Sequence, residues 1–133
     1  MNLKSYSPII TNSILFSILL IFLRIDLVFS DSLPTGGDMG AHIVPTKFFV
    51  SELISNLKIS GWSNDWFAGY PAYYFYFPLP PLVVAILSPF FSFGIAFKIM
   101  VVTSLVLLVF SIQKLISQED KISSHLGFAA GLL

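Results

Sequence analysis

The sequence contains no cysteine, which excludes a disulfide framework, a thiol nucleophile, an iron–sulfur cluster and cysteine-ligated zinc. Charged residues are also scarce: 11% of the 133 residues are Asp, Glu, Lys or Arg, whereas soluble domains have about 25%. The seven basic residues offset the seven acidic ones, so the chain lacks the concentrated positive charge that binds nucleic acid. No nucleic-acid partner is expected.

Apolar residues dominate the composition instead. They make up 56% of the chain, and the mean hydropathy is +0.86. A soluble domain of this size would cover its surface with polar groups, so we expect lipid to replace water over much of this exterior. The composition therefore predicts a membrane protein, with the lipid bilayer as a partner. The apolar runs described next predict an all-α polytopic fold, and the family resemblance that follows them implies the cell membrane as its location.

The first predicted span covers residues 8–29. Its apolar run is interrupted by Arg24 and Asp26, which are tolerated if Arg24 reaches the interface or pairs with Asp26. The same region also suits a secretory signal peptide, because the residues before Asp31 fit a cleavage site. Further apolar runs follow, which favours an uncleaved transmembrane helix.

Two more spans are predicted at residues 79–97 and 98–113, joined by a tight connection near Ser92. Lys98 at their junction is the one charged residue in these two runs. Pro89 is expected to kink or end the first of them, because proline has no N–H for the helix and clashes with the preceding turn. Together the two runs predict a helical hairpin.

Residues 122–133 are predicted to start a fourth transmembrane helix. The nine apolar residues 125–133 are too few to cross a bilayer. The chain is therefore expected to be the amino-terminal part of a longer protein, a single membrane domain over residues 1–133 that further transmembrane helices complete. By itself it is expected to be inactive.

Between the first two predicted spans, residues 30–78 are expected to form an external loop. Within it, residues 42–59 have the periodicity of an amphipathic helix that lies along the membrane surface. The apolar positions are Phe49, Val50, Leu53, Ile54 and Leu57, and the polar ones are Lys47, Ser51, Ser55 and Lys58. Proline is tolerated in the first helical turn, so Pro45 indicates that Asp38 precedes the helix, which Gly61 ends.

Short motifs in and around this loop follow one another in a recognisable order. They are Gly36-Gly37-Asp38-Met39-Gly40-Ala41-His42, Gly61-Trp62, Asn64-Asp65-Trp66, Gly69-Tyr70-Pro71 and Tyr76-Phe77-Pro78-Leu79-Pro80. Over most of Leu15 to Ile112, this arrangement resembles the amino-terminal part of the GT-C membrane glycosyltransferases. It is most similar to the membrane domain family named 6-pyruvoyl-tetrahydropterin synthase-related and, more loosely, to the YfhO-like membrane proteins. Pterin chemistry is not implied, because that soluble synthase holds zinc with three histidines and this chain has only His42 and His125.

The resemblance implies transfer of a sugar from a polyprenyl-phosphate-linked donor to a cell-envelope glycan or lipid acceptor. Such a transfer needs a carboxylate to take the proton of the acceptor hydroxyl while the lipid phosphate departs. Asp38 matches the family's position for that carboxylate. An aspartate between glycines and a helix is also typical of a turn or a helix cap, so that alternative stays open.

His42 follows Asp38 by one helical turn and is a candidate to orient the carboxylate or to bind the donor phosphate. The two side chains alone do not make a metal site, although Asp31 could join them around a divalent cation. We therefore expect no metal and no other cofactor, with a divalent cation as the open alternative.

The remaining candidate substrate-binding residues are Trp62, Asp65, Trp66 and Tyr70. Aromatic rings stack on the C–H faces of sugars, whereas Trp and Tyr are also typical of a membrane interface and Asp65 of an ordinary loop. A non-catalytic membrane protein, such as a transport or scaffolding subunit, is the alternative to an enzyme. The predicted spans contain few polar groups of the kind a transporter needs, which favours the enzyme.

Overall fold

The computed structural model describes residues 7–66 and 68–118. The structure is mostly helical, with 62% helix and 6% strand. Its described residues divide into two compact units: residues 29–100 form the loop unit, and residues 7–28 and 101–118 form the helical unit. The predicted start of a fourth helix at residues 122–133 lies outside the described residues.

The helical unit contains α1 (Ser7–Phe22) and the later part of α4 (Phe93–Gln118). Leu19 of α1 and Val109 of α4 are buried in the small core between them. The exposed side chains of both helices are largely apolar, including isoleucines along α1 and leucines along α4. Helices that remain apolar on their outer faces are typical of proteins surrounded by lipid.

α1 is shorter than the first predicted span, because the chain leaves the helix before its charged residues. Arg24 has a left-handed backbone with a φ of +48°, and a 3₁₀ turn follows at Ile25–Leu27. The predicted ion pair is confirmed, since Arg24 Nη2 lies 2.9 Å from Asp26 Oδ2. Residues 8–29 therefore form a helix followed by a turn.

α4 contains the one helical segment of the described residues that is long and apolar enough to cross a membrane. Phe93–Leu115 has 23 residues and a mean hydropathy of 2.5, and only 17% of its most apolar stretch is buried. At 1.5 Å per residue this segment is roughly 35 Å long, against roughly 30 Å for the hydrocarbon core of a bilayer. Its length and composition support membrane association, whereas the multi-pass arrangement remains a prediction.

Residues 79–97 and 98–113 do not form two separate spans, so that prediction is wrong. α3 (Leu79–Leu87) has nine residues, and a helix of that length is roughly 14 Å long, about half the thickness of the hydrocarbon core. α4 then begins at Phe93 and continues without a break through Lys98.

Pro89 accounts for the end of α3, as the sequence predicts, because it cannot donate a helical hydrogen bond. The turn that follows is closed by the Leu87 carbonyl, which accepts hydrogen bonds from the N–H groups of Phe90 and Phe91 at 3.0 and 3.1 Å. The sequence around this turn is uncharged. The tight connection predicted near Ser92 is therefore confirmed, whereas the boundary between the two predicted spans, drawn at Lys98, lies inside α4.

α2 (Met39–Phe48) begins three positions before the predicted 42–59. Asp38 occupies the residue before it, so the prediction that Asp38 precedes the helix is confirmed. Pro45, however, lies within the helix and not in its first turn. Pro45 has no N–H to donate to the Ala41 carbonyl, and the helix continues past it because the ring is still compatible with helical φ.

After α2 the helix changes its hydrogen-bonding pattern instead of stopping. A π-helical segment covers Phe49–Leu53 and a 3₁₀ turn covers Ile54–Asn56. The helical path ends at Leu57, which has a left-handed φ of +55°, and not at Gly61. Leu57 is 97% exposed, since it has turned away from the apolar face to which the periodicity assigned it.

The apolar face of this helical segment is covered by protein. Phe49 and Leu53 are buried, and α3 packs on α2 and the π-helical segment with Val84 buried in the contact. The Tyr73 ring meets the Phe49 ring edge-to-face, with centroids 5.0 Å apart. The prediction that this face lies along the membrane surface is therefore wrong. Periodicity shows that a face is buried, but it does not show what buries it.

A short β-hairpin departs from the predicted all-α fold. Strands β1 (Gly61–Ser63) and β2 (Tyr70–Ala72) are antiparallel, with Trp62 opposite Pro71. Gly61 lies where the hairpin meets the helical segment, and a Cβ there would lie 2.7 Å from Cδ2 of the buried Leu53, so that side chain would have to shift. The sequence does not predict these strands, because three residues are too few to show an alternation of apolar and polar side chains and because glycine and proline are rare in strands.

The residues that follow α1 lie beside the start of α4. Ser92 Oγ donates a hydrogen bond of 2.5 Å to Asp31 Oδ1. Lys98 Nζ donates to the Ser30 carbonyl at 2.5 Å and contacts Ser30 Oγ at 3.0 Å. A Cβ at Gly94 would lie 3.3 Å from the Asp31 carbonyl oxygen, so the backbones approach closely.

Candidate functional site

Asp38 lies in a tight turn that two glycines make possible. Gly36 and Gly37 both have left-handed backbones, with φ of +97° and +49°, which residues with a Cβ adopt at a cost. The Met39 N–H donates to the Gly36 carbonyl at 3.2 Å, and the Ala41 N–H donates to the Asp38 carbonyl at 2.9 Å. The turn thus leads directly into α2.

The Asp38 side chain is exposed and makes no capping hydrogen bond, although the residue occupies the N-cap position. Capping aspartates accept a hydrogen bond from an N–H in the first turn. Asp38 therefore occupies the turn that the sequence left open as its alternative role, whereas its side chain does not cap α2. Its carboxylate is exposed.

His42 is exposed in the first turn of α2, four residues after Asp38. No hydrogen bond joins the two side chains, while the His42 carbonyl accepts the Thr46 hydroxyl at 2.7 Å. Asp31, the third residue considered for a cation, is hydrogen-bonded to Ser92. Among the described residues there is no group of three or more His, Asp or Glu that could hold a metal ion.

Trp66 lies against the first turn of α2. A Cβ at Gly40 would be 3.7 Å from Trp66 Cη2, an ordinary van der Waals distance. The indole therefore reaches the helix two residues after Asp38, and it is half-buried there. Of the four predicted substrate-binding residues in the hairpin region, Trp66 is the one that the structure brings to the Asp38 turn.

Trp62 makes its contacts within the hairpin. Its indole Nε1 donates a hydrogen bond of 3.0 Å to Asn64 Oδ1. The ring also covers Gly69, where a Cβ would lie 2.5 Å from Nε1 and where φ is +101°. The side chain is 61% exposed, so part of its ring faces outward.

Asp65 is engaged in the turn of the hairpin. The Ser63 hydroxyl donates to Asp65 Oδ2 at 3.4 Å, and the Asp65 N–H donates to Ser63 Oγ at 3.3 Å. This arrangement agrees with the ordinary loop residue that the sequence allowed. Asp65 therefore has a hydrogen-bond partner in Ser63, whereas the structure shows no such bond from the described residues to the Asp38 carboxylate.

The Tyr70 hydroxyl is buried and has no hydrogen-bond partner among the described residues. Burial raises the pKa of Tyr70, and the negative charge of Asp65 raises it further, while the nearby Ser63 hydroxyl opposes the shift. The Ser63 hydroxyl makes its hydrogen bonds with Asp65. Tyr70 is thus a packing residue of β2 whose phenol stays neutral.

Tyr73 is a residue of this region that the sequence did not single out. It has a left-handed φ of +60°, which is rare for an aromatic residue, and its ring packs on Phe49. Burial raises its pKa to about 12, with a hydrogen bond to Thr46 acting in the opposite direction. Tyr73 fixes the end of the hairpin on α2. No sequence signal marks a non-glycine residue for positive φ, so this role was missed.

An open groove of about 390 Å³ runs along α1, between Ile10 and Ile21. Isoleucine and serine side chains line it, and no titratable group does. It therefore offers no acid or base for chemistry, and the Asp38 turn remains the candidate site.

No known family profile matches the chain, and neither the curated proteins nor the solved structures contain a significant match. The resemblance to GT-C glycosyltransferases therefore rests on the motifs of the sequence.

Proposed function

We propose that this chain is the amino-terminal portion of an integral membrane glycosyltransferase. It would transfer a sugar from a polyprenyl-phosphate-linked donor to a cell-envelope glycan or lipid acceptor. The observation that supports this proposal is the Asp38 carboxylate, which is exposed at the start of α2 without a capping bond and has Trp66 close to its turn.

Asp38 acts as the general base. It accepts the proton of the acceptor hydroxyl as that oxygen bonds to the anomeric carbon and the bond to the lipid phosphate breaks. The glycines before Asp38 leave space at the turn, since a Cβ at Gly36 or Gly37 would meet nothing within 4 Å. A sugar can therefore approach the carboxylate closely.

The neighbouring residues bind substrate in this proposal. Trp66 presents an indole beside the Asp38 turn for stacking on the sugar, and His42 in the first turn of α2 binds the donor phosphate. The exposed ring of Trp62 and the side chain of Tyr70 belong to the wall of the hairpin. Asp65 is the least suited of these residues to bind substrate, because its carboxylate already accepts a hydrogen bond from the Ser63 hydroxyl.

The proposed protein is multi-pass and resides in the cell membrane. α4 provides one helix of sufficient length, and α1 together with further helices would complete the membrane domain. No metal or other cofactor is part of the proposed reaction.

The test uses the natural protein that contains this chain, in membranes that supply radiolabelled polyprenyl-phosphate sugars. Asp38→Asn keeps the size of the side chain and removes the proton acceptor, so turnover should fall by about 10²- to 10⁴-fold at equal expression. Asp65→Asn is the matched control and should retain wild-type turnover. Normal activity of Asp38→Asn would remove Asp38 from the mechanism. No transfer from any donor by the wild type would favour a non-catalytic transport or scaffolding subunit.

A further inference from the structure

α3 has two apolar faces, and within the described ranges 7–66 and 68–118 only one of them is covered by protein. Pro81 and Val84 are buried where the helix packs on α2 and the π-helical segment. The other face is exposed although it consists of large apolar side chains at helical spacing. These residues, which we name the outer face, are Leu79, Leu82 and Ile86, with Phe90 in the turn that follows.

Four consecutive exposed aromatic residues lead into this helix. The aromatic run consists of Tyr74, Phe75, Tyr76 and Phe77, which are between 63% and 86% exposed. Aromatic residues normally dominate the cores and interfaces of proteins because they bury large apolar areas. An unbroken exposed run next to an exposed apolar helix face therefore indicates a surface that does not meet water.

The helical segment against which α3 packs is polar on its other side. α2 and the π-helical segment after it turn their apolar residues toward α3, so their outer side points away from the outer face of α3. Along α2, the π-helical segment and the 3₁₀ turn, that outer side carries Lys47, Ser51, Glu52 and Ser55, all of which are exposed. The loop unit thus has one polar side and one apolar side.

We propose that the outer face and the aromatic run are embedded in the interfacial layer of a lipid bilayer, with α3 lying at the surface and α2 in water above it. α3 is too short to span, and its chain continues directly into α4, which is apolar enough to cross. Tyrosine and other aromatic residues concentrate at this depth of a membrane.

The charge pattern selects lipid over a protein partner. No charged residue occurs in the sequence from Trp66 to Phe97. Protein interfaces have a polar, solvent-accessible rim around their apolar centre, and this stretch has no charged residue to supply one. The inference does not depend on sugar transfer, because a non-catalytic membrane protein would need the same surface.

The absence of cysteine allows a direct test with single fluorescent labels. Phe75→Cys and Ile86→Cys place an environment-sensitive NBD group on the aromatic run and the outer face. Ser51→Cys and Ser55→Cys are the matched controls on the polar side, in the π-helical segment and the 3₁₀ turn after α2. Leu107→Cys, exposed on α4, is the reference that reports insertion. Each labelled chain is reconstituted in phosphatidylcholine–phosphatidylglycerol vesicles.

Acyl-brominated lipids should quench the labels at positions 75, 86 and 107, and aqueous iodide should quench those at 51 and 55. The proposal would be overturned if iodide quenched the labels at positions 75 and 86 as strongly as the label at 55, while brominated lipid still quenched the label at 107. Protection of 75 and 86 from both quenchers would also overturn it, because the surface would then be covered by protein.

Discussion

The indole of Trp66 lies against Gly40, two residues after Asp38. A Cβ at position 40 would be 3.7 Å from Trp66 Cη2, which is an ordinary van der Waals distance. This contact brings an aromatic residue of the hairpin to the start of α2. A carboxylate and a flat aromatic surface thereby lie near each other, which is the combination that the proposed binding of a sugar would use.

Trp66→Leu should weaken binding of the lipid-linked sugar, because it removes the aromatic face beside Asp38. Aromatic contacts contribute about 0.5–1.5 kcal/mol, so KM for the donor should rise roughly 2- to 12-fold. Trp66→Phe keeps a ring and should remain close to the wild type. The measurement is donor-dependent turnover in membranes, and an unchanged KM for Trp66→Leu would show that the indole only packs on the helix.

Gly61→Ala should destabilise the loop unit, because the new Cβ would meet Leu53 Cδ2 at 2.7 Å. Forcing an extra carbon into packed structure costs about 1–3 kcal/mol of unfolding free energy. Gly40→Ala is the control: its Cβ fits, and alanine in a helix should leave stability unchanged or raise it by about 0.5–1 kcal/mol. The unfolding midpoints of the Gly61→Ala and Gly40→Ala variants are compared by thermal unfolding in detergent, monitored by circular dichroism. Equal midpoints would contradict the close contact at Gly61.

Stability should fall as the pH rises from about 10 to about 12, because the pKa of Tyr73 is raised from its ordinary 10 to about 12 by burial. The folded chain keeps the phenol proton over this range while the unfolded chain releases it, so the contribution is complete below pH 10 and is lost above it. Tyr73→Phe should show a shallower decline in the unfolding midpoint. Tyr76→Phe, at an exposed position, should decline like the wild type. Identical pH profiles for all three would show that Tyr73 titrates normally.

Residues 30–78 should lie outside the cytoplasm. Single cysteines at Ser32 and Ser51, both exposed, should react with a membrane-impermeant thiol reagent in intact cells. Ser63, which would be another choice from sequence alone, is unsuitable because it is 1% exposed. Labelling that requires broken membranes would place the segment inside and reverse the topology.

The parts of the fold that depend on neighbouring residues could be predicted. Asp38 precedes its helix because Gly36 and Gly37 form the turn before it, and Pro89 follows the end of α3 because it lacks an N–H. The argument from Pro45 gave the right place for Asp38 for the wrong reason, because Pro45 lies within the helix. The pairing of Arg24 with Asp26 follows from their separation by one residue and their opposite charge.

The contacts between distant residues could not be predicted. Periodicity identified Phe49 and Leu53 as an apolar face, but hydrophobicity is the same whether lipid or α3 covers it. Likewise, nothing local indicates that Trp66 reaches Gly40 or that Tyr73 adopts positive φ. Whether the Asp38 carboxylate caps its helix is a matter of side-chain geometry, which the residue type alone leaves open.

The hydrogen bond between Ser92 and Asp31 has a consequence for orientation in the membrane. It joins the residues after α1 to the residue before α4, so both ends of the segment from Asp31 to Ser92 are held together. If α1 and α4 both cross the bilayer, the whole segment, including the Asp38 turn, therefore lies at one membrane surface. Arg24 and Lys98 lie near that surface, and Lys114 lies near the opposite end of α4. Because positive charge occurs at both ends of these helices, the positive-inside rule selects neither orientation, and labelling at Ser32 and Ser51 decides between them.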